Sequence, residues 1–248
     1  GEFMKVVIIY GNHTGGSTEH CVSIVKNVLA SFGECSFTEF FLPTDLPVIC
    51  RGCFRCFEDG EETCPDARLV QPIVSAMREA DGLIFASPVY ACEVSGAMKT
   101  LFDHLCYIWM THRPMEEMFS KVGMVISVTA GAGTVTSIRT MEKNFRYWGV
   151  KRTIGFGAAV QAMSWNEVAS AKKTKLEAKL TRKASRFYRM MELRYTLRPM
   201  IFQRIMFKLL GKMIQGYEPG SRLSRDQNYW RDKGWFNGKS PFMRGARE

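Results

Sequence analysis

Lys5-Val-Val-Ile-Ile-Tyr-Gly-Asn-His-Thr-Gly-Gly-Ser-Thr18 decides how this chain folds. Its first six residues are a short β-branched apolar run, the pattern of a strand buried on both faces. Residues 11–16 break the run with turn-forming types, and from 18 to 32 apolar residues return at helical spacing. Strand, loop and helix therefore follow in that order. The unit recurs as Gly82-Leu-Ile-Phe-Ala-Ser87, a loop and a helix over 96–108. It recurs again as Val122-Gly-Met-Val-Ile-Ser-Val-Thr129, a glycine-rich loop and a helix over 136–148. Two further strands are expected over 34–41 and 152–159, the second feeding a long helix over 165–195. Alternating units of this kind imply an α/β fold, a doubly wound five-stranded parallel sheet with helices on both faces. Ligands of such sheets sit outside the carboxyl ends of the strands, the edge from which all three loops leave.

The loops suit that role chemically. Gly11-Asn12-His13-Thr14-Gly15-Gly16-Ser17-Thr18 is rich in small residues and hydroxyls. Unpaired amides at the start of its helix carry partial positive charge, and Asn12, Ser17 and Thr18 can add hydrogen bonds to an anion. No Gly-Lys-Ser/Thr follows, which argues against a nucleoside triphosphate, and the spacing is not GxGxxG. Taken alone, the loop also reads as an ordinary turn capped by Ser17 or Thr18. Ser87-Pro88-Val89-Tyr90-Ala91-Cys92-Glu93 offers a flat wall and backbone amides for a planar ring system. Thr129-Ala130-Gly131-Ala132-Gly133-Thr134 lets backbone approach a ligand closely, because glycine adds no side chain.

These three stretches, with Ser95-Gly96, Lys99, Phe102 and Asp103, resemble the NAD(P)H-dependent FMN reductase family over residues 4–190. The resemblance implies a flavodoxin-like fold, FMN with its phosphate on the first loop, and an isoalloxazine bordered by the other two. By position, Asn12, His13, Ser17 and Thr18 would meet phosphate. Pro88, Val89, Tyr90, Ala130, Gly131 and Gly133 would surround ribityl and ring. The family's first loop commonly reads Ser-Pro-Arg where this chain has Gly11-Asn12-His13, leaving His13 as the replacement cation. The implied activity passes electrons from NAD(P)H through the flavin to a quinone, a nitro or azo compound, free flavin or a protein acceptor. The implied assembly is a homodimer or homotetramer. With no Gly-x-Ser-x-Gly elbow or paired carboxylates, no side chain is nominated as catalytic, and the chemistry rests with the flavin.

Eight cysteines in a chain expected to be cytoplasmic are free, redox-active or metal-bound rather than disulfide-paired. Four lie together as Cys50-Arg-Gly-Cys53-Phe-Arg-Cys56 and Cys64-Pro65, a C-x2-C-x2-C-x7-C spacing. That spacing is compatible with a [4Fe–4S] cluster, with zinc or with free thiols, and Arg51 and Arg55 could offset thiolate charge. It also resembles the motif of the iron-sulfur flavoproteins, a branch of the same family. The alternative function that follows is an electron carrier exchanging electrons with a ferredoxin-like partner. Cys92 stands apart and reads as a small buried hydrophobe. His20, His104 and His112 are dispersed and form no metal-ligand pattern.

The net charge of +10 is unevenly spread over the 248 residues. Residues 1–150 carry 12 Lys and Arg against 17 Asp and Glu, whereas 151–248 carry 22 against 7. The acidic first part lacks the basic patches that nucleic acid requires. No apolar stretch is long enough to span a bilayer, and Gly1-Glu2-Phe3 before Met4 reads as a cloning remnant. The chain divides into an FMN-binding unit over 4–195 and a basic extension over 196–248. In the extension Leu197, Ile201, Ile205, Met206, Leu209, Leu210 and Met213 recur at helical intervals. Arg198, Arg204, Lys208 and Lys212 are expected on the opposite surface. Packing against a partner subunit is the expected use of this helix, ahead of lying on a membrane. Asp226-Gln-Asn-Tyr-Trp-Arg-Asp-Lys-Gly-Trp-Phe236 is expected to dock on a neighbouring subunit, and resembles the ending of clostridial-type family members.

Overall fold

The computed structural model describes residues 3–243; the last five residues of the extension, and Gly1 and Glu2, lie outside it. β1 (Met4–Tyr10) forms at the apolar run that opens the chain, and all its residues but Lys5 are buried. It pairs in parallel with β2 (Cys35–Phe41) on one side and β3 (Gly82–Tyr90) on the other. β5 (Val122–Thr129) and β6 (Arg152–Ala159) complete the order β2-β1-β3-β5-β6, all parallel. The path holds the five expected strands. A sixth, β4 (Glu93–Val94), is a two-residue antiparallel partner of the end of β3.

Alternation along β1 sends side chains to two cores. Met4, Val6, Ile8 and Tyr10 pack with α1 (Ser17–Phe32) and α7 (Ser170–Glu192). Val7 and Ile9 face the opposite layer. That layer is built from α4 (Ala67–Glu79), α5 (Gly96–His104) and α6 (Thr134–Trp148). The short turns α2 (Leu42–Asp45) and α3 (Arg55–Glu58) lie between β2 and α4. The helix expected over 96–108 ends at His104, with a 3-10 turn over Cys106–Ile108. The helix expected from 165 begins at Ser170, after a separate turn over Trp165–Glu167.

The extension folds onto its own chain. α8 (Ile201–Gln215) and α9 (Ser224–Asp232) build a third core in which Phe207, Leu210, Ile214, Trp230 and Trp235 meet Met110 and Phe119. Phe207 stacks on Trp230 with centroids 4.5 Å apart and meets Trp235 edge-on at 5.2 Å. Trp230 Nε1 donates to the His112 carbonyl at 2.6 Å, Tyr229 Oη to the Pro114 carbonyl at 2.6 Å, and Gln203 Nε2 to the Val150 carbonyl at 2.8 Å. The 226–236 segment therefore packs against its own chain.

The orientation of α8 differs from the sequence expectation. The face turned inward is Gln203, Phe207, Leu210 and Ile214, whereas Ile201, Ile205, Leu209 and Met213 are exposed. A helix with two apolar stripes beside one basic arc can bury either stripe. The Phe207 ring, together with Gln203, which satisfies a buried carbonyl, selects this one.

Phe207→Ala removes the ring at the centre of this cluster and is expected to cost about 3 kcal/mol or more. Hydrogen exchange should accelerate in α8 and α9 while β1, β3 and β5 stay protected. Equal acceleration throughout the sheet would show that the extension is not a local unit of stability.

Candidate functional site

β1, β3 and β5 end side by side, and the ladder continues into the first loop through Gly11 N–H donating to the Ala86 carbonyl at 2.8 Å. Beyond it Gly15 turns at φ 91° and Gly16 leads in extended conformation into α1. No side chain caps that helix, so its first amides are free of side-chain partners. Thr18 is buried in the first turn, Asn12 and Ser17 are half-buried and His13 is exposed. Asn12 Oδ1 is buried without a hydrogen-bond partner. The loop already engages an oxyanion, because Gly15 N–H donates to the Glu19 carboxylate. A cleft of about 280 Å3 beside it is bounded by Gly15, Gly16, Glu19, Ser164, Trp165 and Asn166. His20 stacks on Trp165 there at 4.3 Å.

Pro88, Val89 and Tyr90 are the last three residues of β3 rather than loop residues, with exposure rising towards Tyr90. Ala91 (φ 48°) and Cys92 (φ 63°) make the turn into β4, both in a region that non-glycine residues enter at a cost of about 1 kcal/mol or more. Cys92 is exposed here, not the buried hydrophobe expected. Glu93 pins the hairpin, one carboxylate oxygen accepting from its neighbour's Val94 N–H at 2.8 Å and the other from Thr140 Oγ1 at 2.9 Å. On the third loop Gly131 N–H donates to Thr129 Oγ1 at 3.2 Å. Ala130 and Gly131 are exposed, and Gly133 turns at φ 102° into α6.

Two glycines bring the three loops together. A Cβ on Gly11 would lie 2.5 Å from Ser95 Oγ and 3.0 Å from Ser87 Oγ. Those hydroxyls are themselves committed: Ser87 Oγ accepts from Ser95 N–H at 3.0 Å and Ser95 Oγ accepts from Met98 N–H at 3.2 Å, capping α5. A Cβ on Gly133 would lie 2.7 Å from Val89 Cγ1 and 2.9 Å from Cys92 Cα. The first loop therefore sits on the second, and the second on the third. All ten residues nominated from the sequence stand along this one edge. The sequence drew attention to Ser87 and Ser95 without giving them a role and did not point to Glu19 or the 164–166 segment, because their roles depend on contacts across the fold.

The cysteine segment lies between β2 and α4, and it changes direction at Gly52 (φ 63°) and Phe54 (φ 60°). Cys50, Cys53, Cys56 and Cys64 are free thiols. Among the described residues no three His, Cys, Asp or Glu side chains converge as a metal site, so the four thiols are not gathered around one point. Cys56 instead meets Cys106, from the turn after α5. The hydrogen bond from Cys106, helped by Arg113 and opposed by burial, draws the Cys56 thiol down to about 7. The same bond, with burial, pushes Cys106 up. Arg113 ties this segment to the extension, donating to the Cys56 carbonyl, to the Phe57 carbonyl at 3.4 Å and to Asp226 Oδ1 at 2.5 Å. Asp226 Oδ2 takes His112 Nδ1 at 2.8 Å, while His104 pairs with Asp66 at 3.2 Å, so both histidines have structural partners.

Residues 4–158 match the family model of NADPH-dependent FMN reductase. The chain belongs to that family. The match spans all three loops and the cysteine segment. An iron-sulfur flavoprotein of Archaeoglobus fulgidus is 27% identical over 190 residues, 75% of this chain and 79% of that one. An iron-sulfur flavoprotein of Methanocaldococcus jannaschii is 34% identical over 149 residues, 57% of this chain and 72% of its own. Among solved structures, an NADH:FMN oxidoreductase superposes with a TM-score of 0.54 at 16% identity, covering 81% of this chain and 94% of its own. That likeness establishes the flavodoxin-like fold.

Gly133→Ala in this reductase sets a methyl against the backbone of Cys92 at a φ that L-residues avoid, a cost of about 1–3 kcal/mol concentrated at the loop contact. FMN affinity, read by quenching of flavin fluorescence, is expected to fall about tenfold or more. Unchanged affinity would show that the second and third loops do not need each other. Glu19→Gln removes a negative charge from the first loop and is expected to tighten FMN severalfold, by about 1 kcal/mol. Weaker binding would overturn the competition between Glu19 and phosphate.

Proposed function

We propose that this chain is an FMN-dependent oxidoreductase that takes electrons from NAD(P)H and delivers them to a quinone, a nitro or azo compound, free flavin or a protein acceptor. The observation that carries the reading is the joining of three ligand-facing loops at one sheet edge, inside the segment that matches the reductase family. Asn12, His13, Ser17 and Thr18, with the uncapped amides of α1, would hold the FMN phosphate. The partnerless Asn12 Oδ1 fits an added hydroxyl or a flipped amide facing phosphate. Pro88, Val89 and Tyr90 would border one side of the ribityl and ring, and Ala130, Gly131 and Gly133 the other. Bound FMN supplies the redox chemistry, accepting hydride from the nicotinamide and releasing electrons to the acceptor. The residues around it would bind and orient the ring and shield it from water. Titration of the purified chain with FMN, followed by anaerobic mixing with NADPH and with NADH, tests this. The expected outcome is a saturable flavin complex bleached by a reduced nicotinamide; failure to bind FMN overturns the reading.

A second centre is favoured by the C-x2-C-x2-C-x7-C spacing and by the iron-sulfur flavoproteins among the relatives. In this reading Cys50, Cys53, Cys56 and Cys64 carry a [4Fe–4S] cluster and the chain exchanges electrons with a ferredoxin-like partner. The thiols as placed do not form that site, so holding a cluster requires the segment to close around it, with Cys56 leaving Cys106. Anaerobic iron and sulfide analysis decides: four of each per chain support the cluster, as expected for that cluster type, and none removes it. Assembly as a homodimer or homotetramer and a cytoplasmic location complete the proposal.

A further inference from the structure

α8 rests its Phe207 face on the third core and turns the rest outward. Helical phase divides the outward side in two. One half carries Ile205, Leu209, Phe202 and Met213, all exposed, with Leu209 57% exposed. Ile201, 76% exposed, stands where this half meets the other. The other half carries Arg204, Lys208 and Lys212. Ile201–Gln215 contains no Asp or Glu. The Arg146 guanidinium lies 5.5 Å over the Phe202 ring and adds a cation at the apolar border. On the basic side a cavity of about 550 Å3 opens, rimmed by Arg198, Arg204, Lys208, Lys212 and Lys239 and floored by Trp235 and Phe242. Among the described residues no carboxylate lines it.

We propose that this face of α8 is a docking surface for an anionic lipid bilayer. An apolar row along a helix about 22 Å long inserts at the level of the acyl chains, while the lysines and arginines beside it reach lipid phosphates. The adjoining cavity, cationic at its rim and aromatic at its floor, accepts a phosphate-bearing headgroup. Charge complementarity selects this occupant. A second copy joined about a two-fold axis would set Arg204, Lys208 and Lys212 near their own equivalents with no carboxylate on the helix to answer them. α8 itself lies outside the segment that matches the reductase family, and no helix of the described residues is long and apolar enough to cross a membrane, so the mode is interfacial.

Co-sedimentation of the full chain with phosphatidylcholine vesicles and with mixed phosphatidylcholine–phosphatidylserine vesicles tests the proposal. Binding is expected to be roughly tenfold stronger to the anionic vesicles and to weaken as salt rises. Lys208→Glu with Lys212→Glu, and separately Leu209→Ser, should each remove most of that binding while leaving FMN binding and the far-ultraviolet dichroism intact. Inorganic phosphate should not compete at matched ionic strength. Equal binding to both vesicle types, or none, overturns the proposal. Displacement by inorganic phosphate overturns it in favour of a small-anion site. A dimer in sedimentation velocity that Leu209→Ser dissociates, without vesicle binding, overturns it in favour of a second copy.

Discussion

The carboxyl edge of the sheet is one site because two of its positions carry no side chain. Gly11 lets the first loop settle on the Ser87–Ser95 pair, and Gly133 lets the third settle on Val89 and Cys92. Either contact, filled by a methyl, would push one loop from the next by several tenths of an ångström. A planar ligand held between loops tolerates such a shift poorly, since its stacking and hydrogen bonds weaken together. The buried serines matter for the same reason. Ser87 and Ser95 spend their hydroxyls on backbone amides, which fixes the start of α5 and gives the first loop a rigid floor. The cost of the arrangement shows at Ala91 and Cys92, held in left-handed conformations by a two-residue hairpin where Asn-Gly would be relaxed. Backbone strain kept at the edge of a ligand site is stabilised by the fold around it, here by β4 and the Glu93–Thr140 bond.

A second constraint runs from the extension to the cysteines. Arg113 and Asp226 are nearly inaccessible to solvent, and their 2.5 Å contact is shared with the Cys56 and Phe57 carbonyls and with His112. Breaking a buried pair by removing one partner leaves the other charge stranded, a cost of about 3–5 kcal/mol. The exposed pairs Arg222–Glu58 and Arg225–Glu62 run in parallel with it but are worth little singly. The position of the cysteine segment is therefore governed by a helix more than 150 residues later in the chain. Any reorganisation of its thiols has to work against that tie at Cys56 while the segment before it turns at Gly52 and Phe54.

How far the sequence reached depended on the range of the interaction involved. β1, β5 and β6 follow local apolar runs and were legible nearly to the residue. β3 runs three residues past its predicted end, because Pro88-Val-Tyr90 reads locally as a turn, while Val89 and Tyr90 pair with Val94 and Glu93 and Pro88 lies opposite Val128. The ten nominated site residues all stand at the carboxyl edge of the sheet, seven of them on loops or in the first turn of α1 and Pro88, Val89 and Tyr90 at the end of β3. Their joining was not legible, since it rests on Ser95, Val89 and Cys92 meeting glycines from other loops. Cys106 as partner of Cys56 had no signal in the four-cysteine spacing, which directs attention within the motif. For α8 the hydrophobic period identified a helix and could not choose between two apolar stripes.

Charge segregation along the chain gains a physical use once the fold is known. The acidic residues Glu58 and Glu62 beside the cysteine segment face Arg222 and Arg225, so part of the basic excess is spent inside the molecule holding the extension down. Lys233 with Glu116 does the same at 3.0 Å. Arg204, Lys208 and Lys212 sit on a helix with no carboxylate of its own, next to large apolar side chains that the third core leaves outside. Exposed apolar rows on a monomer mark contact surfaces, and an uncompensated basic row beside one sets the sign of what it meets. The extension thus has two faces with different tasks. The inner one packs Phe207 and Trp230 into the third core and, through Asp226 and Arg113, ties down the cysteine segment. The outer one keeps the charge that the inner one did not use.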